Sequence, residues 1–129
     1  GLESSVGVVT GLYLKDPGDA RWADDPGMKE WQAWMKKYQP NASPGDLFNV
    51  QGYTVAQLML EVLKNCKDDL SRENIIKQAT NLNGLELPML LPGIKVHTEP
   101  GNVTPIRQIQ MARFDGKSWV LFGDVLGDK

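Results

Sequence analysis

Tyr53-Thr54-Val55-Ala56-Gln57-Leu58-Met59-Leu60-Glu61-Val62-Leu63-Lys64-Asn65-Cys66 is the stretch whose periodicity decides the fold class. Its apolar positions Val55, Leu58, Met59, Val62, Leu63 and Cys66 recur at spacings of three and four, which places them on one face of an α-helix packed on a core. Upstream, Asp25-Pro26 has the form of an N-cap followed by proline at the first helical position, where the missing N–H costs nothing. A helix is predicted from there, carrying Trp31, Trp34, Met35 and Tyr38 as an apolar stripe. Pro40 to Gly45, with two prolines, Asn41, Ser43 and Gly45, is a loop between these helices. Downstream, Ser71 is placed to cap a third helix, with Leu70 and Ile75 at hydrophobic-staple positions and Asn81 to Gly84 as its stop.

The two ends have a different texture. Ser5 to Leu14 combines β-branched and small residues with Leu and Tyr and predicts a strand, ended by Asp16-Pro17-Gly18-Asp19. Within it Val6-Gly7-Val8-Val9-Thr10 has the composition of a buried strand. Beyond Leu91 the pairs Pro92-Gly93 and Pro100-Gly101 and short alternating runs predict strands and turns. Ile106 to Phe114 and Ser118 to Phe122 flank Asp115-Gly116-Lys117, where Asp-Gly supplies the positive φ that a tight hairpin requires. The inventory is a leading strand, about three helices and a terminal β-hairpin, an α/β chain. Trp31, Trp34 and Trp119 are assigned to packing, and Trp22, in the polar loop before the first helix, is left unplaced.

Chemistry is sparse. The 129 residues are 41% hydrophobic and carry 14 basic against 16 acidic side chains, a formal net charge of -2. That balance, spread along the length, provides no footprint for nucleic acid or an anionic membrane surface. No apolar run reaches the roughly 20 residues of a membrane helix, so the chain is expected not to be membrane-embedded. It starts at Gly1 and enters a strand almost at once, which fits a piece cut from a longer polypeptide and equally a processed precursor. Cys66 falls on a helical apolar stripe, where a thiol acts as a small hydrophobe. His97, the one histidine, stands in a polar stretch and reads as a surface residue. The pairs Asp24-Asp25 and Asp68-Asp69 suit helix starts. Phosphate-binding, dinucleotide, zinc-protease and nucleophile-elbow signatures are absent; neither catalysis, a cofactor nor a metal is expected.

One stretch invites a ligand. In Leu47-Phe48-Asn49-Val50-Gln51-Gly52-Tyr53 an apolar edge runs into a helix start with amides and a glycine. Free N–H groups there can meet ligand polar atoms, glycine permits close approach, and Phe48 can line an apolar pocket. An ordinary junction into a helix accounts for the same residues, and both readings stand. Several motifs in order then form a series: Tyr13-Leu14-Lys15-Asp16-Pro17, Asp24-Asp25-Pro26-Gly27-Met28-Lys29-Glu30-Trp31, Phe48 to Gln57, Leu87-Pro88-Met89-Leu90-Leu91-Pro92-Gly93-Ile94, and Met111-Ala112-Arg113-Phe114-Asp115-Gly116 with Trp119-Val120 and Phe122-Gly123. The series resembles the branched-chain amino acid type of ABC-transporter solute-binding protein over almost the whole chain.

That resemblance implies the C-terminal third of a two-lobed type I periplasmic-binding-protein fold. Residues 1–14 would cross the hinge as a strand, 15–100 would form the helical part of the first lobe, and 101–129 would return as the β-hairpin part. It implies a periplasmic protein that binds a small amino acid or an organic, including aromatic, acid between the lobes and delivers it to an ABC permease. Phe48 would lie near the ligand side chain, with Asn49, Gln51 and Tyr53 along the same cleft edge; the groups that hold an α-amino and α-carboxylate would come from segments not in this chain. A sensory domain of the same fold is the alternative. A third reading is a fragment that pairs with a second copy of itself through uncovered apolar faces.

Overall fold

The computed structural model of the chain describes residues 1–127; Asp128 and Lys129, the end of the predicted hairpin part, lie outside the described residues. The element order is β1 (Val9–Leu12), α1 (Pro26–Tyr38), α2 (Leu47–Cys66), α3 (Arg72–Ala79), β2 (Asn83–Leu85), β3 (Val96–His97), β4 (Gln108–Phe114) and β5 (Trp119–Gly127), with short 3-10 turns at Leu2–Ser5 and Ala20–Trp22. One sheet has the order β1-β4-β5 and the other pairs β2 with β3, every pair antiparallel.

Each helix starts where an acceptor side chain waits. Asp25 accepts from Met28 N at 2.8 Å, Asp46 from Phe48 N at 2.9 Å, and Ser71 from Asn74 N at 3.3 Å. These bonds satisfy N–H groups that the first turn leaves without partners. In α1 the stripe predicted from sequence is buried at Trp31 and Met35, half-buried at Trp34 and exposed at Tyr38, because the core lies under the face that carries Met28, Trp31 and Met35 and ends before the helix's last residue. Leu70 is also exposed, so the predicted staple with Ile75 does not close. Cys66 is buried on α2 as its spacing required.

The leading strand is shorter and less buried than its composition suggested. Val6, Val8 and Val9 are all exposed, and regular pairing begins at Val9. The chain before it still reaches the sheet, with Gly7 N donating to Phe114 O and Phe114 N to Val8 O. At the other end the hairpin forms as predicted: Gly116 has φ +104°, and the Asp115 carboxylate accepts from the Lys117 and Ser118 N–H groups at 2.8 Å each. A bulge follows where β5 carries extra residues opposite Gln110, whose amide donates to Phe122 O and Gly123 O at 2.7 Å.

The centre of the core is irregular backbone. Leu87, Met89, Leu90, Leu91, Ile94 and Val96 are buried against Leu14, Met28, Trp31, Val50 and Val62. Buried backbone polar groups need partners, and this segment has them: Leu90 N donates to Leu87 O, Leu91 N to Tyr13 O, Ile94 N to Leu91 O, and Met89 O accepts from Lys15 N. Lys95 N reaches the Gln108 side chain at 2.9 Å, while Pro88 and Pro92 have no N–H to satisfy.

Lys15 closes the arrangement. Its ammonium lies 2.8 Å from Asp25 and 2.7 Å from Pro88 O, and its side chain is only 8% exposed. Partial burial works against the Asp25 carboxylate, yet the Lys15 hydrogen bond and the Met28 N–H outweigh it and hold its pKa below the ordinary carboxylate value. A depressed carboxylate pKa contributes stability above the unfolded value and loses it as pH falls through the folded one. Stability should therefore hold at neutral pH and decline below about pH 4, and Asp25→Asn should flatten that acid limb in urea melts. A second expectation concerns Gly27, where an added Cβ would stand 2.7 Å from Pro88 Cβ and 2.8 Å from Pro88 O. Although alanine is the better helix former, Gly27→Ala should cost about 1–3 kcal/mol through overpacking against backbone, measured by chemical denaturation.

Candidate functional site

α2 begins at Leu47, six residues before the sequence-based boundary at Tyr53, so Phe48 lies in the first helical turn rather than ahead of it. The cause is Asp46, whose carboxylate caps Phe48 N and whose carbonyl accepts from Asn49 N at 3.0 Å. Gly52 is carried inside the helix, with open space where its side chain would be. Once helical, the four candidates separate into two faces, since residues three or four apart share a side and closer ones do not. Phe48 and Gln51 form one pair, and Asn49 and Tyr53 the other.

The second pair is engaged within the protein. Asn49 Nδ2 donates to Ser43 O at 2.8 Å, fixing the Pro40–Gly45 loop to the helix. The Tyr53 ring packs on Trp34 with centroids 5.2 Å apart, and Trp34 in turn meets Tyr38 at 5.7 Å. Burial, and then the charge of Glu30, push the Tyr53 phenol above its ordinary pKa, so it stays protonated at neutral pH.

The first pair faces outward. Phe48 is 79% exposed, and Gln51, one turn on, lines a groove of about 420 Å³. α2 contributes Gln51, Thr54, Val55 and Leu58; Tyr13 and Leu14 come from the end of the leading strand, Leu87, Leu90 and Val96 from the core segment, and Thr104 to Ile106 with Ile109 from the run into β4. Thr54 donates its hydroxyl to Val50 O at 2.8 Å. Among the described residues no Asp, Glu, Lys or Arg lines the groove. It can receive apolar surface and offers Gln51, Thr104 and Tyr13 for hydrogen bonds, but it has nothing to neutralise an α-ammonium or α-carboxylate. Apart from Gln51, its walls come from residues outside the 47–53 stretch, and the apolar run Leu87 to Leu91 is the sequence signal that marks them.

Two other sequence readings resolve here. Trp22 is half-buried, with Lys15 Nζ 5.3 Å from its ring centroid and Leu91, Pro92, Leu121 and Phe122 around it. His97 is half-buried within β3, its N–H bonded to Pro105 O. No three His, Cys, Asp or Glu side chains gather among the described residues.

No protein-family model matches the sequence, and no curated protein matches it. Among solved structures, the chain superposes on a branched chain amino acid ABC transporter from Thermus thermophilus with bound valine, at TM-score 0.76 and 12% identity. The match covers 98% of this chain and 35% of that one. The shared fold is α/β, part of a periplasmic binding protein fold. The chain thus spans about a third of the length of the protein it matches, and no helix among the described residues is long and apolar enough to cross a membrane.

The exposed and inward faces of α2 should differ in how much mutation costs. Phe48→Ala should change the stability of this chain by no more than about 0.5 kcal/mol, as at other exposed sites. Val50, fully buried one turn from Thr54, should cost about 2 kcal/mol as Val50→Ala. Urea denaturation of both variants checks this.

Proposed function

We propose that this chain is part of an extracytoplasmic solute-binding protein of an ABC importer, supplying one part of an interlobe cleft. The observation that carries the reading is the superposition of nearly the whole chain on about a third of a valine-bound transporter protein. The groove's chemistry supports it: apolar walls suit the side chain of a small amino acid or organic acid, while the charged ends of such a ligand need groups from outside this groove. In this reading residues 1–14 cross the hinge, 15–100 belong to the first lobe and 101–129 return to the second. Phe48, with Gln51 beside it, is presented to the cleft; Asn49 and Tyr53 hold that edge in place. The protein works by capture and delivery to a permease, without catalysis.

A second reading has its own support. The outward face of α2 exposes Phe48, Val55 and Met59, and the sheet exposes Val9, Val120 and Phe122, so the isolated chain has apolar surface that another copy can cover.

Calorimetric titration of a polypeptide that carries the rest of this fold, against aliphatic amino acids, aromatic acids, amides and urea, tests the proposal. One class should bind saturably, and Phe48→Ala should weaken that binding by about tenfold or more, the effect of removing a buried phenyl. Unchanged affinity would remove Phe48 from the site; no binding by any class would overturn the solute-binding reading. The 129-residue chain alone should show no saturable thermal shift with the same panel.

A further inference from the structure

Packing between regular elements is strand on strand within the sheet and α2 on α3 among the helices. The sheet meets the helical part through Leu12, Leu121 and Val125, packed on the shared core, and through hydrogen bonds to irregular segments, several of which lie just beyond β1. Tyr13 O accepts from Leu91 N at 2.9 Å, Leu14 bridges Leu90, and Lys15 N donates to Met89 O at 2.9 Å. At that point the Lys15 side chain turns inward. Its ammonium meets the Asp25 carboxylate at the start of α1, the Pro88 carbonyl at the head of the core segment, and the face of Trp22 at 5.3 Å from the ring centroid. One side chain on the strand exit thus engages the N-cap of a helix, a core carbonyl and the loop between them.

The other polar ties across the same boundary are of a different kind. Arg21 reaches Trp119 O at 2.9 Å, but on the surface. Lys95 N to the Gln108 side chain, at 2.9 Å, is neutral and lies at the start of β4, beside the β1 exit, and Arg107 meets Glu99 at 3.3 Å, where the carboxylate is half exposed. A charge-assisted bond shielded from water is stronger than any of these, and fixing direction takes contacts that diverge, as the three around Lys15 do.

We propose that Lys15 is a conformational pin that fixes the angle at which the β1-β4-β5 sheet leaves the helical part of the chain. The inference holds whether or not the chain belongs to a ligand binder, because it rests on the join alone.

Residual dipolar couplings test this directly. In the 129-residue chain, amide couplings from β4–β5 and from α2–α3 should fit one alignment tensor. In Lys15→Met, which keeps an apolar stem of similar length, each body should still fit its own tensor, but a common tensor should fail, with order in the sheet about twofold lower than in the helices. A common tensor that still fits Lys15→Met would overturn the proposal. If Lys15→Met does not fold, Asp25→Asn, which retains an oxygen for Met28 N, is read by the same criterion: loss of the common tensor supports the pin and its retention refutes it.

Discussion

A lysine ammonium withdrawn from water is tolerable only with acceptors close at hand, and the fold is arranged around meeting that demand for Lys15. Asp25 lies 2.8 Å away and Pro88 O 2.7 Å away, with Trp22 alongside. Leaving one member of a buried pair without its partner generally costs more than the pair contributes over an apolar substitute, so the three segments are held jointly. Gly27 belongs to the same constraint, since only a residue without a side chain lets the first turn of α1 approach Pro88 so closely. The irregular segment that fills the core can then run between β1 and α1 with its carbonyls and N–H groups satisfied.

The groove on α2 follows from that placement. With Leu87 and Leu90 fixed under Tyr13 and Leu14, the helix closes one side and the run into β4 the other. What results is an apolar, uncharged trough beside an exposed helical face, a surface suited to being one wall of something. In the proposed binding protein this wall supplies apolar contact and leaves charge recognition to other segments.

Much of this fold was legible from local chemistry. Asp25-Pro26, Ser71 and Asp115-Gly116 each act on backbone within a few residues, so their caps and turn were readable directly. The spacing of Val62 and Cys66 found the buried side of α2, but Val55 and Met59 share the apolar pattern and stand exposed, since periodicity measures which side chains can be covered and not which are. The start of α2 was missed because Asp46 lies in a Pro- and Gly-rich loop and its capping role depends on the helix it starts. Val6 to Val9 differ from expectation for the same reason as Val55: a buried-strand composition lies in the exposed approach to, and the first residue of, an outer strand of a small sheet. Of the candidate site, Phe48 and Gln51 share a face and Asn49 and Tyr53 another, a division that the correct helix start makes plain. The remaining groove walls are distant in sequence and are brought together by backbone pairing, Leu91 N with Tyr13 O, Leu14 with Leu90 and Val96 with Ile106.

Oxidation of methionine by peroxide gives the most direct test that the α2 face belongs inside a larger binding-protein fold. Met59 is 49% exposed in this chain, while Met28 and Met89, at 1% and 0%, act as internal standards of burial. Met59 should oxidise rapidly in the 129-residue chain and about tenfold or more slowly in a polypeptide that carries the rest of the fold, with Met28 and Met89 protected in both. Equal oxidation of Met59 in the two would mean that nothing covers this face, and would contradict its role as one wall of a two-lobed binding protein.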